Sequence, residues 1–292
     1  MRRIALPVLS VLLLVSLVCG PAHFSAAAQE VAAGQPLFQG ITYTRDVRAD
    51  PRPLVIHIVA IDLGAPGLRF LVTPDDTPAD GTVPARTTSG FLAEFGLQVA
   101  INGDFFDYTT GPETVWDLFS RLGDPVAPVG FAASQGVILS TGRGPTLYLD
   151  ADNRAGFDAP PGPVYNAVSG DCLFLVVGRP APCGQPHHVG LHPRTAVALD
   201  VSGGVLLLIV VDGRQPGVSE GVTLAELAGI AAEYGGSTAL NLDGGGSSAL
   251  VVEGTTGEPL LLNSPIEHGI PGLERAVANH LGVYALPVEA GL

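Results

Sequence analysis

The stretch RTAVALDVSGGVLLLIVVDGR, residues 194–214, limits the fold most strongly. Its apolar run at 205–211 is far shorter than the ~20 residues that cross a bilayer, yet it offers no polar face. A strand of this kind is buried on both sides and belongs inside a sheet that other layers cover. Ser202, Gly203 and Gly204 turn the chain between this strand and the one at 194–200, so the pair reads as a hairpin.

Other strands are legible around it. PLVIHIVAIDL at 53–63 and LRFLVT at 68–73 are separated by the turn-rich tetrapeptide GAPG, which predicts a second hairpin. LQVAING at 97–103 reads as a buried strand ending at Asn102 and Gly103, and TALNLD at 238–243 as one that delivers Asp243. VAPVGFAASQGVILS and PTLYLD add further strands with glycine-marked turns. AVANHLGVYA at 276–285 reads as a closing strand or a short helix. A helix is predicted across 87–96 with Thr or Ser as its cap. A second is predicted across 223–236, with Thr223 as cap, Glu226 in the capping-box position and glycines as terminator. Hairpins interrupted by occasional helices imply an α+β fold: a single strand-rich domain with a mixed sheet and a few helices.

The ends and the charge narrow the setting. Arg2 and Arg3, an apolar run at 4–18 and the small residues at 25–28 read as a secretory signal peptide cut after Ala28, leaving a 29–292 domain with its core at about 54–286. No later stretch has the length of a membrane span. The formal charge of −14 becomes −16 once the two leader arginines are subtracted, which disfavours nucleic acid and anionic membranes as partners. Export makes a disulfide between Cys172 and Cys183 the expectation. Every basic side chain is arginine, a composition that suggests a GC-rich bacterial genome.

The string NLDGGGSSALVV at 241–252 carries the chemistry. A phosphate loop of the Walker type requires a lysine, and the chain has none; this string does not form the Gly-x-Ser-x-Gly elbow of serine hydrolases either, because Ala249 and Leu250 follow Ser247 and Ser248. A plain turn remains one reading. The other is a ligand-binding floor in which Asp243 stands at a strand end, Gly244, Gly245 and Gly246 admit close backbone approach with N–H groups available to an anion, and Ser247 and Ser248 add hydroxyls. Asn102, Gly103 and Asp104 end a comparable strand, with Asp104 either a solvated turn carboxylate or a catalytic one. Arg194, at the start of a buried strand, needs an anion, either in a structural salt bridge or as a phosphate ligand. Arg275 offers a second cation next to Glu274. His187, His188 and His192 lie in a proline-rich loop without a matched acidic ligand set, so no metal is assigned there. Calcium among Asp104, Asp107 and Asp243 is compatible with the spacing but not demanded by it.

INGDFF, HPRTAVALD, TLAELA followed by ALNLDGGGSSALVV, and ERAVANHLGVY occur in an order that resembles the phosphodiester glycosidase family across residues 54–284. The resemblance implies a secreted hydrolase that splits a sugar-1-phosphodiester into free sugar and a phosphomonoester, without a cofactor. Its matched blocks fall on Asn102 and Gly103, Arg194 and Thr195, residues 243–248, and Arg275. The expected machinery is Asp243 and Arg194, with Glu274 as a reserve acid; Asn102, Gly103, Asp104, Thr195, the glycine and serine string and Arg275 would bind substrate. A small glycosyl phosphate or a cell-wall phosphoglycan in the bacterial envelope is the implied partner. Two other classes stay open: a non-catalytic envelope protein that binds phosphoglycans, and a metal-dependent phosphodiesterase.

Overall fold

The computed structural model describes residues 34–74, 81–109, 121–157 and 159–288. The leader assigned to 1–28 lies outside them. The hairpin at 194–214 forms as expected: Arg194–Asp200 and Val205–Val211 pair antiparallel, Arg194 opposite Val211. They are central strands of an eight-stranded sheet, flanked by Leu54–Asp62 on one side and Gly236–Asn241 on the other.

The double-sided burial of 205–211 has two distinct partners. Leu206, Leu208 and Val210 face a five-stranded sheet, with Val72, Val99, Ile101, Leu250 and Leu281 among the residues they share a core with. Leu207, Ile209 and Val211 face the helix Leu224–Glu233, meeting Leu227, Ala228 and Ala231. The second sheet is covered on its far side by the helix Thr88–Phe95 through Phe91 and Leu92. The core is therefore layered helix, sheet, sheet, helix, which is how strands with no polar face are accommodated.

Both helices carry the caps that the sequence implies. Thr87 accepts from Gly90 N, with Gly96 left-handed at the C-terminus. Thr223 and Glu226 form a reciprocal capping box. The closing segment is a strand, His280–Tyr284.

Two expectations need correction. Leu54–Asp62 and Arg69–Val72 do not form a hairpin; the first joins the large sheet and the second pairs with His280–Tyr284 in the other, so the intervening turn connects two layers. The sheets are also antiparallel in every ladder between described strands, not mixed. Helix Leu224–Glu233 does carry the chain from Val205–Val211 to the parallel strand Gly236–Asn241, but Arg194–Asp200 sits between them and is antiparallel to both. The crossover therefore produces no parallel ladder.

Cys172 and Cys183 form the expected disulfide, their Cα atoms 6.0 Å apart. No described helix is long and apolar enough to cross a membrane.

Candidate active site

Register gathers the charged residues. Arg194 opens its strand opposite Val211, and Arg214 follows just past Val211. On the other side Ala196 pairs with Asn241, two residues before Asp243, and Asn241 pairs with Cys172, the neighbour of Asp171. Arg194, Arg214, Asp243 and Asp171 thus project from one end of four adjacent strands. A cleft of about 210 Å³ opens there, lined by both of these arginines, Arg275, Asp243, the three glycines and a rim of Phe105, His187 and His192.

Strand alternation assigns the predicted residues to different roles. Arg194 lies on the helix-facing side of its strand, whereas Thr195 points between the sheets and is fully buried. Thr195 Oγ1 donates to Asn102 Oδ1 at 2.8 Å, and the same oxygen accepts from Ala249 N. Asn102 Nδ2 donates to the carbonyl of Asp243 at 2.6 Å, and Asp243 N donates to Gly103 O. Asn102, Gly103 and Thr195 were expected to bind substrate; they instead clamp the two strand ends beneath the cleft. A Cβ on Gly103 would lie 2.5 Å from Asn279 Oδ1, so that clamp requires glycine.

Asp104 is buried as well. Its backbone N–H donates to Asn279 Oδ1, and its Oδ1 accepts from Ser169 N. Burial pushes its carboxyl well above the usual carboxylate range, and it holds strand Asn166–Ser169, which belongs to a separate five-stranded sheet, against the floor without lining the cleft. Glu274 is placed elsewhere: Oε1 accepts from Ser89 N at 3.0 Å, on the first turn of helix Thr88–Phe95, where a carboxylate complements the helix dipole.

The glycine string is shaped by what presses on it. Gly245 has φ +64 and lies under the Arg214 guanidinium, 2.9 Å from where its Cβ would be. A Cβ on Gly246 would meet Glu267 Oε2 at 2.1 Å and Arg275 Nη2 at 2.7 Å. The expectation that the turn's N–H groups cradle an anion is not met for most of them. Gly244 N donates to Asp243 Oδ1, Gly245 N to Pro193 O, Ser247 N to Gly244 O and Ser248 N to Gly245 O. Ser247 is buried, its Oγ accepting from Arg275 Nη1, and Ser248 is buried below it.

The electrostatics of the cleft suit an anionic ligand. Among the described residues Arg194 donates to carbonyls, through Nε to Val222 O and through Nη2 to His187 O and Gly190 O. Among the described residues no carboxylate pairs with Arg194 or Arg214 within 4.0 Å. Burial, reinforced by Arg214, pulls the Arg194 guanidinium down to about 10, against an opposing pull from Asp171. Burial and the neighbouring Arg275 lower Arg214 too. Arg275 differs: burial depresses it, but its bond to Glu267, 2.7 Å from Nη2, outweighs that and raises it. Asp243, half-buried at the floor, is pushed up to about 6 by burial, although Ser247, Arg275 and Gly244 N favour its charged form. Cations strained by burial and mutual repulsion beside a carboxyl poised near neutrality are what a binding and proton-transfer site requires.

Sequence reasoning missed Arg214, Asp171 and Glu267. Arg214 was within reach, because the hairpin that it had identified places the residue just past Val211 beside Arg194; nothing local marks the other two. Asp171, His187 and His188 bring one potential ligand atom each to within 4.8 Å of one another, the single such cluster among the described residues, so Asp104, Asp107 and Asp243 do not converge in this way. The polarity of that cluster is wrong for a metal. Gln185 N donates to His188 Nδ1, so neutral His188 carries its proton on Nε2, which points at Asp171 Oδ2 and has no lone pair to offer.

Residues 95–284 match the family described as phosphodiester glycosidase. The chain belongs to the phosphodiester glycosidase family. This family member is similar in fold to the catalytic domain of zebrafish N-acetylglucosamine-1-phosphodiester alpha-N-acetylglucosaminidase, auto-inhibited by pro-peptide, at 22% identity and a TM-score of 0.61, over 87% of this chain and 85% of that one. A hypothetical protein from Synechocystis superposes at 16% identity and 0.60, over 84% of this chain but only 62% of that one. A Burkholderia pseudomallei protein superposes at 16% and 0.56, over 80% and 74%. No curated protein sequence matches the chain.

Proposed function

We propose that this phosphodiester glycosidase hydrolyses the bond between an anomeric carbon and a phosphodiester oxygen, releasing free sugar and a phosphomonoester. The observation that carries this reading is the convergence of Arg194, Arg214 and Arg275 on a cleft floored by Asp243. Among the described residues Arg194 and Arg214 pair with no carboxylate, so a phosphate supplies their counter-charge and relieves their mutual repulsion; Arg194 reaches it through Nη1, since its Nε and Nη2 hydrogens go to carbonyls. Asp243, ionised above pH 6, takes a proton from the water that attacks the anomeric carbon. The C–O bond electrons pass to the phosphate oxygen, where the arginines stabilise the growing charge. The residues present require no metal for these steps.

The substrate is a small glycosyl phosphodiester or a phosphoglycan of a bacterial envelope. The Cys172–Cys183 disulfide supports a compartment outside the reducing cytoplasm.

The test is to incubate the protein with an N-acetylglucosamine-1-phosphodiester and with a simple aryl phosphodiester, comparing wild type with Asp243→Asn and Arg194→Ala. Sugar release by wild type and its loss in both variants is expected. Cleavage of the aryl diester alone, binding without turnover, or loss of activity on chelation would each refute the reading.

A further inference from the structure

The hydrolysis proposed above leaves the departing phosphate to gain charge without a proton donor, and Glu274 is not at the cleft to supply one. His187 is. Its ring lines the cleft with the arginines, packed near Phe105 at 6.3 Å between centroids, and its side chain is 44% exposed. Its carbonyl accepts from Arg194 Nη2 at 2.6 Å, which ties the residue to one of the guanidiniums that would hold the phosphate.

The other end of the ring is fixed by Asp171. Asp171 Oδ2 lies 2.7 Å from His187 Nε2 and 2.8 Å from His188 Nε2, while its Oδ1 accepts from Asn241 Nδ2 at 2.8 Å. Burial alone would raise this carboxyl, but these bonds outweigh it and hold it below the usual range, so it is an ionised acceptor. Both imidazoles must then present N–H to it. His188 is buried and its Nδ1 is occupied by Gln185 N, so it serves as a wedge that holds Asp171 in place. His187 Nδ1 has no protein partner among the described residues, and its ring is free to exchange a proton with a ligand. The charged groups facing it are Asp171, His188, His192 and Arg194.

We propose that His187, oriented by Asp171, is the general acid that protonates the departing phosphate, with Asp171 as its positioning residue. The proposal rests on the hydrolytic reading above. In the step, the anomeric C–O bond breaks and its electron pair goes to the phosphate oxygen. The imidazolium Nδ1 proton neutralises one unit of the resulting charge and leaves with the phosphomonoester, while Asp243 takes the proton of the attacking water; after product departs, Asp243 gives that proton up and His187 takes one up, which resets the site. The arrangement repeats the carboxylate–imidazole logic by which a buried acid fixes the tautomer and stabilises the charged ring.

The experiment measures sugar release across pH for wild type, His187→Gln and Asp171→Asn, on the methyl and the para-nitrophenyl diesters of one sugar 1-phosphate. For His187→Gln, kcat on the methyl diester falls about 10²–10³-fold with KM changed little, and the alkaline limb of the profile disappears. The loss is smaller on the nitrophenyl diester, whose phosphate is a better leaving group. Asp171→Asn retains the alkaline limb but moves it to lower pH, because the positive ring loses its counter-charge. A purely structural role would lower kcat equally for both diesters and leave the limbs where they are. Wild-type turnover with an unchanged alkaline limb in His187→Gln overturns this proposal alone. No sugar release by wild type from either diester overturns both readings.

Discussion

Replacing Asp243 by Asn should stabilise the protein while abolishing activity, and the size of the gain can be worked out. Burial raises this carboxyl from 3.8 to about 6, so the folded chain binds its proton more tightly than the unfolded chain does. Folding is therefore favoured by the protonated form, and that contribution is lost as pH rises through about 6. A shift of roughly two units at 1.36 kcal/mol each means that ionised Asp243 costs about 3 kcal/mol at pH 7 and above. At pH 5 linkage leaves about half of that, and near pH 3 almost none. Asn keeps the acceptor that Gly244 N uses and avoids the burial of a charge. Thermal unfolding at pH 8, 7, 5 and 3.5 tests this. At roughly 2–4 °C per kcal/mol for a domain of this size, the variant should melt about 6–12 °C above wild type at pH 8, with the two converging in acid. A variant less stable than wild type at pH 8, or a difference independent of pH, would show that Asp243 is not held in the charged state against a burial penalty.

Arg214→Ala removes a guanidinium that pairs with no carboxylate among the described residues, so stability should change by less than about 1 kcal/mol while kcat/KM falls about 10²–10³-fold; steady-state kinetics and a melt separate the two effects. Gly246→Ala places a methyl against the Glu267–Arg275 pair and should cost about 1–3 kcal/mol in denaturant melts, with activity falling as Arg275 is displaced. Glu274→Gln should retain activity within about threefold and lose under about 1 kcal/mol, the worth of a carboxylate at a helix start; a larger activity loss would return Glu274 to the chemistry.

The layered core was legible because its cause is local. An apolar run of strand length has only one kind of environment, and Thr223 with Glu226 states a helix start without reference to the rest of the chain. The disulfide followed from the expected export and from there being two cysteines beyond the expected leader. The failed hairpin at 64–67 shows the limit: a turn-rich tetrapeptide says that the chain reverses, not whether it stays in the same sheet. The site divides in the same way. Asp243 and Arg194 stand out as charges at the ends of buried strands, and the structure brings both to the cleft. Asn102 and Thr195 carry equally prominent motifs but face inward, because the inter-sheet side of each strand is decided by a partner sheet remote in sequence. Asp171 and Glu267 have no local mark, since each matters only through residues of other segments, Asn241 or His187 for one and Arg275 for the other.

The glycine and serine string therefore owes its composition less to flexibility than to crowding by charge. For the phosphodiester proposed above, an acidic chain is repulsive at long range, so the attraction must come from cations held close to it in the cleft. Packing Arg214 and the Glu267–Arg275 pair directly onto backbone at 245 and 246 achieves this, and leaves no room for a side chain at either position. Ser247, one residue further, gives Arg275 its second anchor. Asn102 then fixes the start of the turn through the Asp243 carbonyl, so the carboxylate and the guanidiniums share one rigid support. On the proposed reading the residues that would meet the phosphate are few, and the rest of the motif holds those few in place.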